Sequence, residues 1–218
     1  MVKHLRLAQC DSTQDELKRQ LDRYDLVSTE QQNAGRGRGD HSWDHLTGAL
    51  AFSFVAPAHP QLTWQALEVA VSLAMSFEEL WGVTLDLKWP NDLYRDGKKC
   101  GGILLQYQAP RMLIGVGINL HPDSSASWGS VWNHQKKLDS DWVHQMPFEF
   151  VERYLANCSQ SAELIRHEWL KRCVHLNRKV TITDGNEIVE GIFSGLGAHG
   201  EAIVSGKSVF NGSLRWID

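Results

Sequence analysis

The sequence reads as an α/β (α+β) protein, with one main domain and a small β-barrel appendage. Apolar runs at strand spacing alternate with long helix-period segments up to about residue 175, and beyond Leu176 only short strands separated by Gly-containing turns follow. A length of 218 residues fits one domain plus an appendage, at roughly 150 residues per domain.

The elements follow in order. Leu5 to Ala8 alternates as a short strand. Asp11-Ser12-Thr13 supplies helix N-cap chemistry with Asp15 and Glu16 in the first turn, and Leu17, Leu21 and Tyr24 keep helical spacing, so Thr13 to Tyr24 is predicted as a helix. Leu26 to Thr29 is a strand running into a Gly-rich loop, Gln31 to Asp40. Leu50 to Val55 is a buried strand. Trp64 to Trp81 is a long apolar helix stopped by Gly82. Thr84 to Lys88 is a strand ending at Trp89-Pro90. Leu93-Tyr94 and Cys100 to Gln106 flank Asp96-Gly97 as a hairpin. Leu113 to Leu120 is a strand, 121–145 is irregular, and one or two helices follow Pro147. The terminal strands are Val180–Ile182, Ile188–Phe193, Ala202–Val204, Val209–Phe210 and Leu214–Trp216.

Composition narrows the function classes. The formal net charge is −4, without the basic balance of a protein that coats duplex nucleic acid. With 42% hydrophobic and 22% charged residues the chain can build a core, which excludes disorder. Nine tryptophans demand large buried pockets or stacking surfaces. Leu46 to Ala58 is the richest apolar run, but it is short and interrupted by Thr47, Ser53 and Pro57. Residues 1–16 lack a secretory pattern. Cys10, Cys100, Cys158 and Cys173 have no C-x-x-C spacing, which argues against zinc or a disulfide framework and for reduced thiols in a cytoplasmic protein.

Three features carry chemistry. In Gly35-Arg36-Gly37-Arg38 the glycines offer φ > 0 and close backbone approach, and the arginines offer planar forks to carboxylate or phosphate. The same run also suits a solvated loop or an RNA-binding segment. Lys88-Trp89-Pro90-Asn91-Asp92 puts a lysine at the end of an apolar strand, as a point charge for phosphate and carboxylate or as an ordinary edge-strand lysine. Gly115 and Gly117 inside a strand mark the close approach of a ligand or backbone, or a bulge.

Taken in order, Asp11-Ser12-Thr13, Gln32 to Arg38, Trp43, Lys88 to Asp92, Lys99-Cys100-Gly101-Gly102-Ile103-Leu104 and Gly115 to Asn119 resemble the catalytic domain of biotin protein ligases. The resemblance covers nearly the whole chain, with Phe210 to Arg215 similar to the family's last strands. It implies a class II synthetase-like catalytic domain over 1–175, a mixed sheet with helices on one face, and an SH3-like barrel over 176–218. It implies synthesis of biotinyl-5′-AMP from biotin and Mg-ATP, then transfer to a lysine of a biotin carboxyl carrier domain, that of acetyl-CoA carboxylase or a similar biotin-dependent enzyme. Biotin would be held by Ser12, Thr13, Gln14, Gln32, Gly35, Arg36, Gly37, Arg38, Lys88 and Leu93. ATP and the adenylate would be held by Arg36, Arg38, Trp43, Lys88, Gly117 and Asn119, with Trp43 and Asn119 addressing adenine. Lys88 and Arg38 would be the catalytic cations, and no protein side chain is assigned to Mg²⁺. The partners implied are the carrier domain and a monomeric or homodimeric state, without DNA or membrane.

Two departures stand out. His41 falls where the family commonly has an arginine, so Gly39-Asp40-His41-Ser42 makes the loop less cationic. The motifs begin at Asp11, so an N-terminal DNA-binding domain and a repressor role are not expected. The alternatives are a lipoate or octanoyl ligase of the same fold, a non-catalytic biotin- or nucleotide-binding module, and an RNA-binding protein using the Arg-Gly loop.

Overall fold

The computed structural model describes residues 1–39, 41–43, 48–123, 127–133, 140–157 and 161–216. Asp40, Leu46, Thr47, Cys158 and parts of the Ser- and Trp-rich stretch 121–145 lie outside them. In chain order the elements are β1 (His4–Cys10), α1 (Thr13–Arg19), β2 (Leu26–Gln32), β3 (Gly35–Arg36), β4 (Ser42–Trp43), β5 (Ala49–Pro57), α2 (Leu62–Trp81), β6 (Asp86–Lys88), β7 (Asp92–Arg95), β8 (Lys98–Gln108), β9 (Arg111–Asn119), α3 (Ser140–Asn157), α4 (Ala162–Lys171), β10 (Lys179–Asp184), β11 (Glu187–Leu196), β12 (Ala202–Val204), β13 (Lys207–Val209) and β14 (Ser213–Trp216). Two compact units emerge, one of Met1–Ala58 with Tyr94–Cys158, the other of His59–Leu93 with Ser159–Asp218.

In the first unit, strands hydrogen-bond in the order β1-β2-β5-β9-β8. The sheet is mixed, since β1 runs parallel to β2 and the other pairs are antiparallel. A parallel pair needs a crossover, and α1 supplies it. Helix α1 stops at Gln20 rather than Tyr24 because the chain must turn back. Tyr24 N–H bonds Gln20 O at 3.1 Å, and Asp25 N–H then bonds Lys3 O at 2.8 Å to start β2 beside β1.

Side chains alternate across a strand, and here the alternation separates large from small. On β5, Phe52 and Phe54 meet Phe150 and Tyr154 of α3, with ring centroids 5.4–5.9 Å apart. Ser53, between them, meets α1 through Thr13, Oγ to Oγ at 2.8 Å, and Val55 packs with Leu17 and Val27. The two helices therefore cover opposite faces, which corrects the expectation of helices on one face. Burial on both sides explains why β5 is apolar almost throughout. Pro147 lies inside α3, which starts before it and not after it as the sequence suggests.

In the second unit, α2 ends at Gly82, whose φ of 63° is the left-handed cap expected from its position. The terminal strands form an antiparallel sheet in the order β13-β12-β11-β10-β14. The tight turn 197–200 is held by side chains. Arg166 donates to Gly197 O at 3.0 Å, Trp64 Nε1 to Ala198 O at 2.9 Å, Thr63 Oγ1 to His199 O, and Trp89 Nε1 to Gly200 O at 3.2 Å. No helix among the described residues is long and apolar enough to cross a membrane. Cys10, Cys100 and Cys173 are free thiols.

Candidate functional site

The face of the first unit that carries α1 holds most of the residues singled out in the sequence. On it β5 presents Ala51 and Ser53, β9 presents Gly115, Gly117 and Asn119, and β8 presents Gly102 and Leu104. The register pairs Ser53 with Gly115, Ala51 with Gly117, Gly102 with Gly117 and Leu104 with Gly115. Apart from Leu104 and Asn119 these are small, so the sheet surface is low there and other groups settle onto it.

Helix α1 fills one end. Ser12 caps it, accepting from Asp15 N–H at 3.4 Å. Gln32 Oε1 accepts from the Thr13 N–H at 2.8 Å and from the Thr13 hydroxyl at 3.1 Å, which fixes the end of β2 to the helix N-terminus. Gln14 is 4% exposed and lies over Gly115, where a Cβ would come within 2.7 Å of its Oε1. Its Nε2 is buried without a partner.

Trp43 fills the other end. A Cβ on Gly117 would fall 2.5–2.9 Å from three atoms of its indole, and one on Gly102 would fall 3.4 Å away. The ring thus lies on the cross-strand pair Gly102–Gly117, with Lys99 Nζ 6.0 Å from a ring centroid. Its Nε1 is buried and unpartnered. Asn119, 4% exposed, donates from Nδ2 to Gly129 O at 3.2 Å and leaves Oδ1 buried without a partner. Of the two readings of the strand glycines, close approach is the one realised, because the β5–β9 register runs unbroken from Ala49↔Asn119 to Pro57↔Arg111.

The stretch read as a Gly-rich loop contains the short strand β3, which pairs antiparallel with β4. Gly35 pairs with Trp43 and Arg36 with Ser42. Gly35 and Gly37 do not have positive φ, which corrects the reason given for them; among the loop glycines only Gly39 does, at 59°. Instead a Cβ on Gly35 would meet Trp43 O at 2.5 Å, and one on Gly37 would meet His41 O at 3.0 Å. Arg36 Nη1 bonds Asp15 Oδ1 at 2.8 Å and ties the hairpin to α1. The pair is largely exposed and holds weakly. Arg38 is half-buried. A cavity of about 550 Å³ is lined by Gln14, Gly35, Arg36, Gly37, His41 and Leu104, among others.

Lys88 and Leu93 belong to the second unit. Lys88 is the last residue of β6, its side chain 14% exposed. Its Nζ lies 3.6 Å from Asp92 Oδ2 and 5.4 Å from a Trp216 ring centroid, so the charge is compensated as its position requires. Leu93 is fully buried. Trp89, in the same motif as Lys88, is 1% exposed with its indole N–H on Gly200 O. The sequence reading gave no role to Ser53, Gly102, Leu104 or Gly129. A serine inside the apolar run of β5 was the available signal for Ser53; Gly129 carried none.

The arrangement is a mixed α/β domain whose low sheet face has a polar amide end and an aromatic end. The model of the Biotin/lipoate A/B protein ligase family matches residues 7–123, over half of the 218, and the chain belongs to that family. It is 37% identical over 108 residues to the bifunctional ligase/repressor BirA of Bacillus subtilis (strain 168), covering 44% of this chain and 32% of that protein. It is 29% identical over 204 residues to the biotin–[acetyl-CoA-carboxylase] ligase of Paracoccus denitrificans, covering 84% of each. The matched stretch spans about a third of the length of the first four curated relatives. The structure of biotin protein ligase from Aquifex aeolicus in complex with biotin and ATP superposes with a TM-score of 0.80 over 99% of both chains at 24% identity, a likeness of fold.

Proposed function

We propose that this chain is an ATP-dependent biotin protein ligase that makes biotinyl-5′-AMP and passes biotin to one lysine of a biotin carboxyl carrier domain. The carrying observation is the low, glycine-rich sheet face with Gln14 at one end and Trp43 and Asn119 at the other. The polar atoms there, Gln14 Nε2, Trp43 Nε1 and Asn119 Oδ1, are buried and unpartnered. Buried polar groups are rarely left unpaired, so these atoms fit a ligand with polar edges at both ends. Ser12, Thr13, Gln14 and Gln32 would face the neutral ureido ring, Leu93 would wall the apolar tail, and Gly35 to Arg38 would cover the ligand. Trp43, Gly117 and Asn119 would take the adenine.

In the first step a biotin carboxylate oxygen attacks the α-phosphorus of ATP and pyrophosphate leaves. Two anions must meet, and Lys88 with Arg38 would lower that repulsion and stabilise charge on the phosphoryl oxygens. In the second, the carrier's lysine amine attacks the carbonyl of the mixed anhydride and AMP leaves, with positioning as the main contribution. ATP would enter as its magnesium complex. The described residues offer no cluster of three or more His, Cys, Asp or Glu to hold a metal, and no step is assigned to a protein-held ion. The reading includes a catalytic domain over 1–175, closure of the five terminal strands into an SH3-like barrel over 176–218, cytoplasmic action, and a monomer or homodimer.

The test is transfer of biotin to a purified acetyl-CoA carboxylase carrier domain with ATP and Mg²⁺. Biotin-dependent pyrophosphate release and a biotinylated lysine are expected. Tighter binding of lipoate than of biotin by calorimetry would favour the lipoate ligase reading. Biotin binding without pyrophosphate release would leave a binding module. Lys88→Ala should cut pyrophosphate release at least about a hundredfold while biotin affinity changes less.

A further inference from the structure

The stretch 129–132 carries an observation that the roles above do not use. Residues 129–132 hydrogen-bond to the sheet. Val131 N–H donates to Asn119 O at 2.8 Å, Trp132 N–H to Leu120 O at 3.0 Å, and Gly129 N–H to Lys99 O at 2.7 Å. This strap is thus tied to the end of β9 and to the start of β8. In return Gly129 O accepts from Asn119 Nδ2 at 3.2 Å.

A carboxamide has a donor end and an acceptor end. Left alone it can rotate to present either one. With Nδ2 held by a main-chain carbonyl, Asn119 presents only Oδ1, and that atom is buried with no partner. The approach requires glycine at 129. A Cβ there would lie 2.8 Å from Lys98 Cβ and 2.9 Å from Lys98 O, atoms fixed in β8. Any side chain lifts the strap and moves its carbonyl from Asn119.

We propose that Gly129 is a positioning residue for nucleotide selection, its carbonyl holding Asn119 so that the site accepts purines with an exocyclic amino donor and rejects those with a carbonyl in its place. The proposal rests on the ligase reading for its ligand, and deepens it. A carbonyl on the base would face Asn119 Oδ1, acceptor against acceptor. Sites built around a buried hydrogen bond reject the mismatched analogue strongly.

The experiment compares ATP with inosine triphosphate, in equilibrium titrations and in biotin-dependent pyrophosphate release. The unsubstituted chain should prefer ATP about a hundredfold. Gly129→Ala should weaken ATP, leave inosine triphosphate and biotin nearly unchanged, and shrink the preference to below about tenfold. A merely structural defect would weaken both nucleotides alike and keep the ratio. Asn119→Ala should reach the same ratio, and combining the two should lower it no further. An unsubstituted chain that does not distinguish the nucleotides overturns the proposal even if Gly129→Ala fails to fold, and so does an unchanged ratio in Gly129→Ala. ATP preference lost in Gly129→Ala, in a chain that releases no pyrophosphate, would uphold the proposal and sink the ligase reading.

Discussion

At the scale of residues, the site is made by what is missing from the sheet. Gly102 and Gly117 face each other across β8 and β9, and Trp43 rests where their side chains would be. Gly117 sits between β5 and β8 and cannot back away, so Gly117→Ala must push the indole off. The expected outcome is a KM for ATP raised about tenfold, about 1.4 kcal/mol, with the KM for biotin little changed. Gly115→Ala should do the reverse, because its Cβ meets Gln14 and not Trp43. Steady-state kinetics of both variants check the assignment, and equal effects on the two substrates would contradict it.

At the scale of elements, signals in the sequence were strong where a local rule acts alone. Asp96-Gly97 forms a turn with φ of 50° and 75°, Gly82 ends α2, and the apolar run of β5 is a strand. They were weak where tertiary structure decides. The strands β3 and β4 have two residues each and no period to read. Their glycines answer to the Trp43 and His41 carbonyls, not to backbone φ. The assignment of large and small side chains of β5 and β9 to opposite faces was present in the alternation, but which helix covers which face was not. Trp89 shows the same limit, since only the fold reveals the Gly200 carbonyl that fixes its indole. Trp89→Phe leaves that carbonyl unsatisfied and should cost about 1–3 kcal/mol. Ser161→Ala removes the cap of α4, whose hydroxyl accepts from Leu164 N–H at 3.2 Å. It should cost about 1 kcal/mol, or about 2–4 °C in Tm. Thermal melts and kinetics together test this, with unchanged substrate KM expected in Ser161→Ala.

At the scale of the whole molecule, partly and fully buried histidines in both units make stability fall in acid. In the first unit Ser28 Oγ bridges His4 Nε2 and His144 Nδ1, at 2.7 Å each. Burial, then the charges of Arg6 and His144, lowers His4 to about 4. Burial and Arg6 lower His144 as well, against Glu30 and Asp141. In the second unit His175 is fully buried, 4.3 Å from the Phe193 ring, with both ring nitrogens unpartnered. Burial, then Lys88 and Arg178, lowers it to about 3. Each therefore binds its proton less readily in the fold than in the unfolded chain, where a histidine takes one up near pH 6.5. The unfolded chain then binds more protons below that pH, so stability is full above about pH 6.5 and falls as the pH drops, toward about 4 for His4 and about 3 for His175. At pH 5 a histidine held neutral costs about 2 kcal/mol, or about 4–8 °C in Tm. His175→Phe keeps an aromatic ring against Phe193 and Trp169 and removes the titration. Its Tm should decline less between pH 7 and pH 5 than that of the unsubstituted chain, by about that amount. Parallel Tm profiles for the two would show that His175 is not among the groups that take up the proton.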